Sequence, residues 1–523
     1  VSSVAVDSPV GERRPRRSGP WIAALLFTLP YLLLMVAWAG SNPPGAAPDE
    51  PDHLVKALGM ASLDIGTPYT GPPYADSDAA RRNASISRVV AIPTRLSPAG
   101  YTCEAQRPDL TAACLPQDPP GGSGTLDAVT PLGSYPPFLY VPIGLAAQLA
   151  STPYQAFLAA RAVCVAMAGV LLLLGSQHLV RWLGRRALLG AFVVLTPMVV
   201  FTSGMAGLSG VEITAAFAVA AVTVAALRRP ESLREPGSQL LLGGVGAALV
   251  LSRQLGAVTF AAMALLLVVR LGWRYFWDLL RRPRPAVVTT LVLLVGSGLA
   301  VVWWERTYDH PVLTASPWDA GAVGGFSSSS YSVLQSAVGN FGWLDTLLPR
   351  WCYLVYFLLL ITLVGSALLL GSAADRRTLA VGLLATLALA YITYASVFYP
   401  VQAGLQGRHV LPFFLVLPVL AGVVLAERLD RVDTAAFRRF VTLVAVAVPV
   451  LQAVGLYENA RRYAVGLNGP IAFLGRAEWS PGLGWVPWLV LGVVGALALA
   501  GAVLVTGSAP TRTEREETVD VGR

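Results

Sequence analysis

The six residues Pro48-Asp49-Glu50-Pro51-Asp52-His53 set three carboxylates and an imidazole side by side in a 523-residue chain whose charged residues are only 13% of the total. Carboxylates this close supply a general base, or ligands for a divalent cation, Mg or Mn, held against a phosphate. Asp49 and Glu50 are the candidates for both tasks. A helix begun at Asp49 carries His53 one turn along the same face, within reach of a bound substrate. A purely structural reading has Asp49 capping that helix and Asp52 meeting its dipole. Glu50 and His53 then have no task.

A phosphate also needs cations. Arginine at the outer edge of a membrane runs against the usual distribution of charge, so such positions carry weight. Arg408 in Gln406-Gly407-Arg408-His409, Arg461 and Arg462 in Tyr457-Glu458-Asn459-Ala460-Arg461-Arg462-Tyr463, and Arg350 are of this kind. They read as a clamp for the phosphate of a lipid-linked donor, or as snorkelling side chains, with Glu458 a ready partner. Arg161, Glu212 and Arg253 lie at or within apolar runs, where ionisable groups pair or line a cavity. Arg161 can reach the carboxylate cluster or a headgroup, and Glu212 can pair with Arg253. Asp345, in Phe341-Gly342-Trp343-Leu344-Asp345, either caps a helix or faces substrate. Trp479, Trp485 and Trp488 read first as an interfacial belt on which a sugar face could stack.

Positioning these groups is the task of an unusually apolar chain. Hydrophobic residues make up 55% of it, in long uncharged runs from end to end, which excludes a soluble globular protein. The net charge of +8 does not point to nucleic acid, because Lys56 is the only lysine and the arginines cluster in short loops between apolar spans. Taking those loops as cytoplasmic gives roughly 12 transmembrane helices, at 21–38, 154–180, 188–203, 208–227, two short helices within 240–270, 287–304, 346–370, 379–398, 410–425, 440–456 and 485–504. The expected organisation is a cytoplasmic tail 1–20, a polytopic transmembrane domain 21–507, and a cytoplasmic tail 508–523. Extracytoplasmic loops fall at 41–134, 305–345 and 457–484, the second with a flexible Ser327 to Ser330 run. The sequence Ala37-Trp38-Ala39 resembles a signal-peptidase site; whether or not it is cleaved, the segment from Ser41 onward lies outside.

The long first loop is rich in Pro and Gly yet keeps enough Leu, Ile, Val and Tyr to fold onto the membrane. A helix is expected from Asp49 to Ser62, with Pro51 in its first turn and Gly66 as a stop. Cys103 and Cys114 form a disulfide if this loop faces an oxidising compartment, and are otherwise two free thiols. Tyr135-Pro136-Pro137-Phe138-Leu139-Tyr140 leads into an apolar piece too short to span, hence interfacial or re-entrant.

Taken together, Pro48-Asp49-Glu50-Pro51-Asp52-His53, Gly339-Asn340-Phe341-Gly342-Trp343-Leu344-Asp345-Thr346, Gln406-Gly407-Arg408-His409 with Leu411-Pro412, and Arg461-Arg462-Tyr463 resemble the bacterial membrane family called domain of unknown function 2142. His409 stands where such proteins often have Tyr. That family in turn resembles the GT-C superfamily of polytopic glycosyltransferases, in which a carboxylate motif in the first outer loop supplies the base and a Pro-Pro segment precedes a membrane-lying helix. Asp49-Glu50 and Pro136-Pro137 match these features. The resemblance implies an all-α, GT-C-like polytopic fold in the bacterial plasma membrane and a polyprenyl-phosphate sugar as donor. In some such families it also implies a divalent metal. The expected activity is sugar transfer to a cell-envelope glycan or lipid at the outer face. In it Asp49 acts as base, Arg408 and Arg461 hold the phosphate, and Glu50 or His53 assists. The alternative is a non-catalytic transporter or binding protein for lipid-linked glycans, with Glu212 and Arg253 along a polar path.

Overall fold

The computed structural model describes residues 19–73, 75–117, 122–281, 284–308, 319–401 and 403–508. Almost all of both expected tails lies outside these. Backbone in hydrocarbon must satisfy its own hydrogen bonds, and long apolar runs do so as helices. The first is α1 (Gly19–Ser41). After it comes a small layer made of α2 (Glu50–Ala61), α3 (Asp78–Ile86) and an antiparallel sheet in which β2 (Arg88–Pro93) pairs with both β1 (Thr67–Pro68) and β3 (Thr125–Thr130). The short helix α4 (Tyr140–Gln148) closes this layer against α2. There a Cβ on Gly144 would stand 1.8 Å from the Ala57 carbonyl oxygen. Leu145 and Leu149 of that segment are exposed, as suits a helix lying at an interface.

The bundle continues with α5 (Pro153–Leu183), α6 (Leu189–Val194), α7 (Pro197–Gly204) and α8 (Leu208–Arg228). Every residue of α8 from Leu208 to Leu227 is buried, so this helix is the centre of the molecule. Next come α9 (Pro236–Ser252), α10 (Gln254–Leu271), α11 (Trp273–Arg281), α12 (Pro285–Thr307) and α13 (Ala320–Val338). A tight hairpin of β4 (Asn340–Phe341) and β5 (Thr346–Leu347) precedes α14 (Arg350–Leu370) and α15 (Ala373–Thr393). The chain ends with α16 (Gly407–Phe414), α17 (Val416–Glu427), α18 (Thr434–Val465) and α19 (Trp485–Ser508).

Ten helical segments among the described residues are long and apolar enough to cross a membrane. Two of the twelve expected spans take another form. The run at 188–203 is broken at Thr196-Pro197 into segments bent by 80°, and α9 is a 17-residue helix. The bent pair still traverses the bundle, since the Ala206 amide just beyond it reaches Glu50 beside α2. The expected turn within 240–270 falls at Arg253, where α9 and α10 meet beneath the loop layer. At the opposite end, Arg228 bonds both Asp375 and Glu427, tying α8, α15 and α17 together.

Three boundaries differ from expectation. The Ser327 to Ser330 run is helical within α13; hydroxyls of Ser329 and Ser330 bond back to the carbonyls of Gly325 and Phe326, so serine does not break the helix. The span expected from 346 begins at Arg350, after the hairpin. The third loop starts later than 457, because α18 runs to Val465 and carries Arg461 and Arg462 in its final turn.

Candidate functional site

Asp49 sits at the N-cap of α2 in the left-handed conformation, φ 65° and ψ 10°, and its carboxylate makes no capping bond. Asp is among the few residues that adopt this conformation readily, at a cost of about 1–2 kcal/mol. The consequence is a carboxylate turned away from the helix it precedes. It is 41% exposed and its Oδ2 accepts from Arg408 Nη2 at 3.4 Å.

Several parts of the chain hold the loop that carries Asp49. Trp343 Nε1 donates to the Gly45 carbonyl at 2.9 Å, and the Tyr463 hydroxyl donates to the Ala46 carbonyl at 2.8 Å. Asn459 bonds Asn42 at 2.8 Å. Gly45 itself has φ 75° and packs so closely on Tyr101 that a Cβ would stand 2.1 Å from that residue's carbonyl oxygen. The motifs around Trp343 and Tyr463 thus act on the Asp49 loop from outside it.

Glu50 and Arg161 form the strut beneath. The Arg161 guanidinium grips both Glu50 oxygens at 2.8 Å and also donates to the carbonyls of Ala39, Asn42 and Pro43. Both side chains are almost wholly buried, at 0% and 1% exposed. Glu50 Oε1 takes a further bond from the Ala206 amide. With both oxygens engaged, Glu50 presents no open face to a substrate, and Arg161 spends its donors on the loop.

Arg408 enters from the other side. Gly407 lies so tightly on α13 that a Cβ would meet the Ala337 amide at 2.0 Å, and its own amide donates to Ser336 Oγ at 2.7 Å. Arg408 is 8% exposed, and among the described residues its Nε has no partner. Buried guanidinium groups are normally saturated with acceptors. A narrow cleft runs beside it, with about 310 Å³ of empty space including its open mouth, lined by Pro48, His53, Met205, Ser209 and Arg408 among others.

A second cation stands behind the cleft wall, bonded to its Ser209. Arg253, in the break between α9 and α10, donates to Ser209 at 3.1 Å, Tyr135 at 2.9 Å and Glu212 at 3.4 Å. His53 stands between the two arginines, its Nδ1 2.6 Å from the Tyr140 hydroxyl. Burial, with the charges of Arg253 and Arg408 added, holds this imidazole well below its ordinary value, so it is neutral. Next along α2, burial and the nearby Asp49 carboxylate push Asp52 up to about 7.

The remaining sequence-derived candidates have their partners elsewhere. Arg461 pairs with Glu458 at 2.8 Å and bonds the Gly469 carbonyl. Arg462, fully buried, holds Asp345 at 2.8 Å and the carbonyls of Glu104 and Leu110. It thereby fastens the turn in which Cys103 and Cys114 are disulfide-bonded. His409 stacks on Phe398 at 4.8 Å and accepts from the Gln406 amide, so its ring completes the α16 start. Tyr135 and Tyr140 are not singled out by the sequence as site residues. The two tyrosines flanking Pro136-Pro137 are the signal that could have found them.

The Asp49-Glu50 pair does not suit a divalent cation. Glu50 is saturated by Arg161 and Ala206, and Asp49 faces a guanidinium. The Cys103, Glu104 and Cys114 group, close enough in space to suggest ligands, contains the disulfide.

Fold and site define a helical, multi-pass membrane protein with a narrow cleft beside Arg408 at one end. Residues 32–417 match the family described as "Predicted membrane protein (DUF2142)", and the chain belongs to that family. No curated protein matches it in sequence. Among solved structures it is similar to ArnT from Cupriavidus metallidurans bound to undecaprenyl phosphate, at 15% identity and TM-score 0.45 over 94% of this chain and 77% of that one. The apo form of the same protein gives 14% identity and TM-score 0.44 over the same shares.

Proposed function

We propose that this protein is a glycosyltransferase of GT-C type that moves a sugar from a polyprenyl-phosphate donor to a cell-envelope glycan or lipid acceptor. On this reading the Asp49 end faces outward from a bacterial plasma membrane and both termini are cytoplasmic, as the placement of the arginine-rich loops suggests. The observation that carries the reading is the pairing of a part-exposed, uncapped Asp49 carboxylate with a buried, undersatisfied Arg408 that lines a narrow cleft.

Asp49 takes the proton from an acceptor hydroxyl as that oxygen attacks the anomeric carbon. The bond from that carbon to the donor phosphate oxygen breaks, and the configuration inverts in this single displacement. Negative charge gathers on the departing lipid phosphate, where Arg408 and Arg253 supply the compensation that the sequence alone assigns to Arg408 and Arg461. With the Tyr140 hydroxyl donating to Nδ1, His53 carries its proton on Nε2, the edge nearest Gly207, and donates from there to a phosphate oxygen. Glu50, Arg161, Asp345 and Arg462 position rather than react. No step runs through a metal, because the donor set at Asp49 and Glu50 does not fit one.

Reconstitution of the full chain in lipid vesicles with a panel of polyprenyl-phosphate sugars and a radiolabel on each sugar tests this reading. Transfer or donor-dependent release of label from one panel member supports it. Intact donors throughout, with vesicles that instead move a lipid-linked glycan between leaflets, would favour the transporter alternative.

A further inference from the structure

The end of the bundle farthest from Asp49 carries a second built site. There an apolar slot of about 1050 Å³, open mouth included, runs between α8, α9, α10 and α12 and is roofed by α11. Trp273, Phe276, Leu279 and Leu280 of α11 line it, together with Leu242, Ala264 and Leu291 from the longer helices. The slot opens directly into a polar recess bounded by Arg234, Asp278, Arg281 and Arg284; Gln239, Leu279 and Val287 line both.

Two details mark the slot and its junction with the recess as made for an occupant. Thr223 and Gln239 are buried to 0% and 6% exposure, and among the described residues Thr223 Oγ1 and Gln239 Oε1 have no hydrogen-bond partner. A purely structural core would avoid such orphans. The described residues that bound the recess include three arginines and one aspartate, immediately beside hydrocarbon. Arg281, exposed, lies 5.2 Å from the Trp277 ring, which sets its guanidinium at the rim of the recess.

We infer that this is a binding site for one anionic phospholipid in the leaflet opposite the Asp49 cleft. One acyl chain fills the slot and the phosphate meets Arg281, Arg284 and Arg234. The glycerol oxygens meet Gln239, which lines both spaces, and the ester at the head of the acyl chain meets Thr223 within the slot. Asp278 repels a second negative charge, which selects a singly charged headgroup. The inference does not depend on what reaction the Asp49 end performs.

The full chain, purified in detergent and freed of lipid, is titrated with dioleoyl phosphatidylglycerol, dioleoyl phosphatidylethanolamine or glycerol 3-phosphate. Retained lipid is read by native mass spectrometry and Tm by intrinsic fluorescence. One phosphatidylglycerol should be retained with a rise in Tm, at least tenfold more tightly than phosphatidylethanolamine, and glycerol 3-phosphate should do nothing. Arg281→Glu with Arg284→Glu, both exposed and so free to change without unfolding the bundle, should abolish retention. Ala264→Phe, which obstructs the slot and leaves every charge in place, should abolish it too. Equal retention of the two lipids, a response to glycerol 3-phosphate, or full retention by either variant would overturn the assignment.

Discussion

Arg408 and Asp49 share a single 3.4 Å hydrogen bond, yet the arginine is 8% exposed and the aspartate 41%. A buried cation held, among the described residues, by one long bond to a part-exposed carboxylate is stabilised too little for its burial, and a second anion would complete it. Arg408→Ala should therefore weaken donor binding by about 10–100-fold, the range for one charge-assisted hydrogen bond. Arg408→Lys should recover only part of this, since it loses the fork. Donor titration against both variants checks the point, and an unchanged affinity in Arg408→Ala would count against the phosphate role.

Glu50 should behave differently. Its removal leaves the buried Arg161 without its carboxylate, so Glu50→Ala should lower stability by about 3–5 kcal/mol. Asp49→Asn should change stability by less than about 1 kcal/mol, because its side chain caps nothing. Thermal unfolding of the two variants separates the strut from the site.

These two adjacent carboxylates also show where sequence reading stops. The density of charge at Asp49 to His53 singled out the stretch that the fold sets beside Arg408, and arginine placement located the turn at Arg253, because both reflect the local chemistry of the chain. The division of labour between Asp49 and Glu50 rests on a left-handed backbone at one and on Arg161, 111 residues away, at the other. Likewise, the sequence offered Arg461 both a phosphate and Glu458; the fold pairs it with Glu458 and adds the Gly469 carbonyl, while Arg408 is left facing Asp49. The second cation, Arg253, was visible as a costly residue in an apolar run; that it bonds Ser209 of the cleft wall and Tyr135 was not.

Asp52 and Lys56 give α2 a pH dependence. Burial, with Asp49, raises Asp52 to about 7, and burial, with Arg88, lowers Lys56 to about 7. An unfolded Asp releases its proton near about 3.9 and an unfolded Lys near about 10.4. Between about pH 4 and 7 the fold holds a proton on Asp52 that the unfolded chain has lost, so stability falls as pH rises. Between about pH 7 and 10 the unfolded chain holds the Lys56 proton that the fold has lost, so stability rises again. His53, neutral in the fold, works against the Asp52 effect below about pH 6.5, so the two contributions are read as differences: the Tm of Asp52→Asn minus that of the parent protein should rise between about pH 4 and 7, and that of Lys56→Met minus the parent should fall between about pH 7 and 10.

Trp343→Phe and Tyr463→Phe each remove one hydrogen bond from the Asp49 loop, a loss of about 0.5–1.5 kcal/mol in stability. If those bonds fix the base, turnover should fall with little change in the donor concentration at half-maximal rate. A change confined to donor affinity would show that the two residues act on the phosphate side instead.

The central claim is that Asp49 is the base. Its most direct test is single-turnover sugar transfer by purified Asp49→Asn, using a polyprenyl-phosphate sugar that the wild-type protein consumes. The amide keeps the shape of the carboxylate and its contact with Arg408 but cannot accept the proton. Donor should bind as before while transfer drops by about 100-fold or more. Transfer at the wild-type rate would contradict the account.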